Sequence, residues 1–146
     1  MCRIRQGDIA EGIGWIKEAI LRREKEGYLA AADWHRLSLA EVYLQIIAGQ
    51  EKPPFLTLLK NLPILLNIIV TAPSRIRALM RRVLENRHFD PAGGQLGRAN
   101  MILGLLYKTK KKRALAVQHL TEAKRILSQF GQTPMLARLE AALELG

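Results

Sequence analysis

The stretch Gly97–Phe130, GRANMILGLLYKTKKKRALAVQHLTEAKRILSQF, decides the fold class of this chain. Its apolar residues recur at spacings of three and four without the alternation of a strand, which predicts helix. The polar run Lys108–Lys112 interrupts this pattern, so the stretch predicts two helices joined by a turn. Helices that are joined by so short a turn must lie antiparallel. The stretch therefore predicts an antiparallel helical hairpin.

The same spacing of apolar residues continues along the chain and predicts an all-α protein. Glycine, proline and polar clusters divide it into helical segments. We expect Pro63 to kink or split the apolar third segment, because proline lacks an N–H and clashes one turn back. The predicted segments are Asp8–Glu26, Ala31–Ala48, Pro54–Val70, Pro73–His88, Gln95–Tyr107, Arg113–Phe130 and a short last helix that opens at Thr133-Pro134.

Gly97–Phe130 also has the length and the small-residue spacing of one tetratricopeptide repeat, which it resembles. Small residues at positions 8, 20 and 27 of such a unit let two helices approach closely, and larger ones at 7, 11 and 24 fill the gaps. Asn100 and Ser128 depart from the pattern, which usually has Trp and Pro there. The matching residues are Leu103, Gly104, Tyr107, Ala116, Leu120 and Ala123.

Two weaker echoes of the repeat occur nearer the N-terminus. Leu39, Ala40 and Tyr43 repeat the pattern of a first helix, and the spacing of small and large residues from Gly12 to Ala19 fits a second helix. The resemblance implies helical hairpins that form a short α-α superhelix. The first segment would be the back half of a hairpin whose front half is missing, which predicts a fragment of a longer protein.

Three longer stretches indicate a resemblance to a smaller group of proteins that contain such repeats. They are GDIAEGIGWIKEAI from Gly7, LAEVYL from Leu39, and the region from Gly97 to Leu143. Together they resemble the C-terminal repeat region of bacterial class III adenylate or guanylate cyclases and of maltose-regulator-like signalling ATPases. The resemblance implies a single tetratricopeptide-like domain over residues 1–146, a regulatory or protein-binding role, and a catalytic domain upstream.

The positive charge is concentrated in one third of the chain. The net charge is +10, and residues 75–125 contain 13 Lys or Arg against 3 acidic residues. Such a region is either an ordinary solvated surface or a binding surface for an acidic protein or a nucleic acid. Nucleic acid is the weaker alternative, because Tyr107 is the one aromatic near the lysine run and no binding motif is present. The candidate partner-binding patch comprises Arg77, Arg81, Lys111, Lys112 and Arg113.

Residues 55–70 form the most apolar window, 16 residues long and interrupted by Lys60, Asn61, Pro63 and Asn67. A membrane span needs about 20 predominantly apolar residues, so we predict a buried helix and no span. Such a helix is buried in the core, in a homodimer interface or beneath a longer array. The single cysteine, Cys2, gives no disulfide framework, and we expect a cytoplasmic protein.

No chemistry of an active site is apparent in the sequence. His35, His88 and His119 fall on three segments without metal-binding spacing, so we predict no metal, no cofactor and no catalytic residue. The predicted function is therefore a protein-interaction or regulatory scaffold. The alternatives are a basic helical protein that binds nucleic acid and, less favoured, an enzyme with unfamiliar chemistry.

Overall fold

The computed structural model describes residues 9–49, 55–86, 94–131 and 133–144. Within these residues the chain forms six α-helices and no strand, so the predicted all-α class is confirmed. The helices are α1 (Ile9–Lys25), α2 (Leu29–Ala48), α3 (Phe55–Glu85), α4 (Gly94–Thr109), α5 (Arg113–Ser128) and α6 (Thr133–Glu144). Cys2 and His88 lie outside the described residues.

The continuity of α3 corrects the sequence analysis. Pro63 and Pro73 both lie inside this one helix, so the predicted break at residues 71–74 is wrong and no split occurs at Pro63. A proline inside a helix costs about 3 kcal/mol. Burial of an aliphatic side chain contributes about 1.5–3 kcal/mol, and a buried stripe runs along α3 on both sides of Pro73. Tertiary packing therefore outweighs the local preference for a break. The stripe comprises Leu65, Ile68, Ala72, Ile76, Met80 and Val83.

The chain divides into two compact units, residues 1–76 and residues 77–146. The first unit contains α1, α2 and most of α3. Its α1–α2 interface includes a charged group in which Arg36 binds both Asp33 and Glu24. Asp33 is fully buried, so its pairing with Arg36 avoids an uncompensated charge in the interior. Tyr43 is also buried, and its hydroxyl accepts a hydrogen bond of 3.4 Å from Arg75 of α3.

The second unit contains the end of α3 and the three helices α4, α5 and α6. Gly97 of α4 faces Leu127 of α5, and Gly104 faces Leu120. Seven residues forward along α4 therefore correspond to seven residues back along α5, which makes the two helices antiparallel. The core of this unit lies between α4, α5 and α6 and comprises Met101, Leu120, Ala123, Leu127 and Leu139.

The residues that match the repeat pattern lie mostly inside the two units. Tyr107 is half-buried and forms part of the α4–α5 interface. The buried ones are Leu39, Ala40, Tyr43, Leu103, Gly104, Ala116, Leu120 and Ala123. Their burial is what packed helices of any kind require. The repeat assignment and the single domain over residues 1–146 therefore stay predictions.

Candidate partner-binding surface

The turn between α4 and α5 has a defined backbone geometry. The amide of Lys112 donates to the carbonyl of Tyr107 at 2.8 Å, and the amide of Lys111 donates to the carbonyl of Lys108 at 2.9 Å. This pair of bonds ends a helix by placing one residue in the left-handed conformation. That residue is Lys111, with φ of 57°, and it is the one described non-glycine residue with positive φ.

The α1–α2 turn has the same geometry with a different residue at the left-handed position. The amide of Tyr28 donates to the carbonyl of Arg23, and the amide of Gly27 donates to that of Glu24. Gly27 has φ of 79° and is therefore the counterpart of Lys111. Glycine adopts this conformation at no steric cost, whereas a residue with a Cβ atom is strained by it. The two turns thus differ at the one position where lysine is unfavourable.

Four consecutive side chains of the α4–α5 turn are exposed cations. We define the basic turn as Lys110, Lys111, Lys112 and Arg113, all of which are exposed. None of them forms an ion pair with a residue in the described part of the chain. Four adjacent like charges repel one another. The basic turn is therefore a surface that an anionic group would stabilise.

Other basic residues of the second unit have partners within it. Lys108 donates to the carbonyl of Ala142 at 2.5 Å, in the last turn of α6, where a cation is favourable. Lys124 pairs with Glu140 at 3.0 Å and so joins α5 to α6. These contacts give both lysines structural roles, which separates them from the basic turn.

Glu122 and Arg125 form a second local pair, this time within α5. The guanidinium of Arg125 donates two hydrogen bonds to Glu122, at 2.7 and 2.9 Å. These bonds lower the pKa of the Glu122 carboxyl. The Arg125 charge is therefore also matched by a neighbour.

Arg77 and Arg81 of the predicted patch lie on a different element from the basic turn. Both are exposed on α3, and Arg81 is 3.8 Å from Glu85 in a solvent-exposed ion pair. Such pairs contribute about 0–1 kcal/mol. No described contact joins either arginine to Lys111, Lys112 or Arg113. The structure therefore divides the five predicted residues between α3 and the basic turn.

His119 belongs to a polar cluster between α4 and α5. Its Nδ1 atom lies 2.9 Å from Oδ1 of Asn100, and its ring stacks on Tyr107 at a centroid distance of 5.4 Å. The Nδ2 atom of Asn100 donates to the carbonyl of Leu96, so Oδ1 must accept and Nδ1 of His119 carries a hydrogen. Burial lowers the pKa of His119. The cluster fixes the ring between the helices and leaves Tyr107 stacked.

The remaining titratable groups of the described residues show no arrangement that would bind a metal ion. Among the described residues, no group of three His, Cys, Asp or Glu side chains could hold one. Asp33, which lies two residues from His35 in the sequence, is bonded to Arg36 instead. The polar contacts described above are those of packed helices.

An exposed apolar surface on α3 was not evident from the sequence. We define the apolar stripe as Leu62, Leu66, Ile69 and Val70, which are 46%, 55%, 52% and 79% exposed. Their spacing places them near one another on one side of the helix. The side chains of residues 55–61 lie outside the described part. Periodicity indicated that the helix is apolar, but it could not indicate which side stays uncovered.

One described segment, Leu62–Glu85 of α3, is long and apolar enough to cross a membrane. Length and composition alone support this possibility, and core helices of soluble proteins satisfy the same criteria. In this segment, 22% of the most apolar 18-residue window is buried. Comparisons with protein-family models, with curated proteins and with solved structures found no match.

Proposed function

We propose that the chain is a regulatory scaffold that binds an acidic protein through the basic turn. The observation that carries the proposal is Lys111, which occupies a left-handed position where the equivalent turn has Gly27. A strained residue at an exposed position suggests that its side chain has a use other than stability. Its neighbours Lys110, Lys112 and Arg113 are exposed as well, which gives the partner four cations to contact.

An acidic protein suits this surface better than a nucleic acid does. Proteins that bind single strands combine cations with aromatic rings on which the bases stack. Tyr107 is the aromatic residue nearest to the basic turn in sequence, and its ring already stacks on His119. Carboxylates require no stacking surface and pair with both lysine and arginine. Nucleic-acid binding is kept as the alternative function.

The proposal extends to the architecture of the scaffold. We infer a short tetratricopeptide-like superhelix, of the kind that ends class III cyclases and related signalling ATPases. Two features support this inference: α4 and α5 pack antiparallel at Gly97 and Gly104, and the two hairpins share one turn geometry. The shared turn geometry makes α1 the counterpart of α4, the first helix of the later hairpin. The echoes in the sequence instead match α1 to the second helix of a repeat. An attached catalytic domain would then be the regulated partner.

Photo-crosslinking in the native cells tests the proposed partner. A photoreactive amino acid replaces Ala114, which is exposed beside the basic turn, or Ala137, which is exposed on α6 and serves as the control. We expect residue 114 to crosslink to an acidic protein or to an acidic region of the same longer chain. The crosslink should disappear when Lys111, Lys112 and Arg113 are changed to Glu.

The same experiment separates the two candidate functions. Nuclease treatment before irradiation should leave a protein crosslink intact, whereas a crosslink to nucleic acid disappears. A titration with a single-stranded oligonucleotide adds a direct measurement, since binding to phosphates weakens steeply with salt. Oligonucleotide affinity that depends on Lys111 and Lys112, with no protein crosslink at residue 114, would replace the proposal with the alternative.

A further inference from the structure

The apolar stripe and the arginines that follow it have no role in the scaffold described above. Leu62, Leu66, Ile69 and Val70 are all more than 40% exposed, and Val70 reaches 79%. The buried stripe of α3, which includes Leu65 and Ile68, adjoins the apolar stripe, because Leu65 lies four residues from Ile69. The apolar surface of the helix is thus wider than the part that packs against protein. Adjacent exposed apolar side chains mark a surface that binds a protein or a membrane.

The charge of α3 favours a membrane over a protein as the binding partner. Arg77 follows Val70 by seven residues, or about two turns, and Arg81 follows Arg77 by four, so both lie on the same side of the helix as Leu66 and Val70. Both arginines are exposed, and Glu85 is the one acidic residue of the helix. Helices that lie in a membrane interface combine exposed apolar side chains with Lys or Arg, and anionic lipids attract these cations.

A second copy of the chain is a less suitable partner for the apolar stripe than an anionic membrane is. Each copy has a net charge of +10, so two copies repel each other before any contact is made. Arg77 and Arg81 would increase this repulsion along the very helix that forms the contact. An anionic bilayer instead attracts both the arginines and the chain as a whole. Charge complementarity therefore selects the lipid surface.

The helix suits the surface of a membrane better than its interior. A span that begins at Leu62 would place Arg75 and Arg77 inside the bilayer, where each arginine costs at least about 2.5 kcal/mol near the centre. The buried stripe of α3 would also have to leave its protein contacts. An orientation in the plane of the membrane keeps those contacts and lets the arginines reach the headgroups.

We propose that α3 docks the protein on anionic membranes through the apolar stripe, with Arg77 and Arg81 contacting the headgroups. This proposal does not depend on the basic turn or on its protein partner. The probe is co-sedimentation of the purified full chain with vesicles of phosphatidylcholine alone or mixed with phosphatidylglycerol. We expect binding to the mixed vesicles, and at least tenfold weaker binding to the neutral ones.

A matched pair of valines tests the apolar stripe. Val70→Asp introduces a charge where the side chain would enter the headgroup region, and we expect at least tenfold weaker binding to the mixed vesicles. Val117→Asp makes the same change at a valine of α5 that is 44% exposed, and should bind like the wild type. Circular dichroism of both variants verifies that they are folded. Equal binding by Val70→Asp and the wild type would overturn the proposal.

The arginines are tested separately. Each basic residue near an anionic surface contributes about a fivefold increase in binding, so Arg77→Gln with Arg81→Gln should weaken binding about thirtyfold. Arg138→Gln removes an exposed charge from α6 and serves as the control. Equal binding to neutral and anionic vesicles would contradict the charge argument.

Two further outcomes would overturn the proposal. The first is no binding to either vesicle at low salt. The second is a dimer in sedimentation equilibrium that Val70→Asp converts to a monomer. That second result would assign the apolar stripe to a second copy of the chain, which is one of the alternatives that the sequence leaves open for residues 55–70.

Discussion

Gly104 lies at a close approach of α4 and α5. A Cβ atom built on Gly104 would lie 2.6 Å from Cγ and Cδ2 of Leu120 and 3.1 Å from the Leu120 amide nitrogen. Leu120 is buried in the core and has little room to move. The absence of a side chain at residue 104 therefore sets the distance between the two helices. The same holds at Gly97, whose Cβ would lie 2.6 Å from Leu127.

The substitution Gly104→Ala should lower the free energy of unfolding by about 1–2 kcal/mol, because overpacking outweighs the higher helix propensity of alanine. Gly14→Ala is the matched control, since nothing lies within 4 Å of a Cβ atom there. It should raise the free energy of unfolding by about 0.5–1 kcal/mol. Urea unfolding measures both. A stabilised Gly104→Ala variant, or an unchanged melting temperature in Gly104→Leu, would contradict the hairpin packing.

Residue 111 is a second position where glycine should be the most stable residue, although lysine occupies it. Its φ of 57° is left-handed, so Lys111→Gly should raise the free energy of unfolding by about 1 kcal/mol. Lys110→Gly should lower it, because Lys110 does not have positive φ and glycine there adds freedom to the unfolded chain. Thermal unfolding of the two variants measures the contrast. The same sign for both would show that residue 111 is not in the left-handed conformation.

The lowered pKa of His119 makes the free energy of unfolding depend on pH. Burial lowers the pKa of His119 below its ordinary value of 6.5, so the unfolded chain takes up a proton before the folded one does. This destabilisation is absent above pH 6.5 and grows as the pH falls below it. We expect the melting temperature of the wild type to fall more than that of His119→Gln between pH 7.5 and about 5. Parallel curves for the two proteins would contradict a lowered pKa.

At the scale of elements, α3 shows where local signals and packing disagree. Pro73 lies inside the helix, so its ring removes a backbone hydrogen bond to the turn before it. Pro73→Ala should therefore raise the free energy of unfolding by about 1 kcal/mol or more. Pro134→Ala is the control, because Pro134 lies in the first turn of α6, where proline is favourable. A destabilised Pro73→Ala variant would place a helix start at residue 73, as the sequence predicts.

The α4–α5 hairpin could be predicted from the sequence, because small residues at Gly104, Ala116 and Ala123 recur where two helices must approach. The continuity of α3 through Pro73 could not be predicted from the sequence. Its proline and its Thr71–Ser74 cluster are local signals for a break, and the burial of Ile68 and Ile76 on either side depends on the rest of the fold. Which helices form was therefore predictable, and where one of them ends was decided by packing.

The candidate surfaces also have some features that could be predicted from the sequence and others that could not. The basic charge could be located from the sequence, but the partners of Lys108 and Lys124 lie on another helix, α6, and are fixed by its packing. The left-handed conformation of Lys111 could not be predicted, because glycine is the usual signal for it. The apolar stripe could not be predicted either, because the composition of a helix does not show how much of its apolar surface is covered by the rest of the protein.

At the scale of the whole molecule, the basic turn and the apolar stripe lie in different units. The basic turn belongs to the second unit, as do Arg77 and Arg81, and the apolar stripe belongs to the part of α3 in the first unit. The two interactions are predicted to be separable, because Val70→Asp changes one surface and charge reversal in the basic turn changes the other.

The central claim is that the basic turn binds an acidic protein. Calorimetric titration of the partner captured at residue 114 tests it most directly. Reversal of Lys111 and Lys112 to Glu should weaken binding at least tenfold and reduce its dependence on salt. Reversal of the exposed Arg22 and Arg138 changes the net charge equally and should leave the affinity within about twofold. Equal affinities of the wild type and the Lys111 and Lys112 variant would contradict the claim.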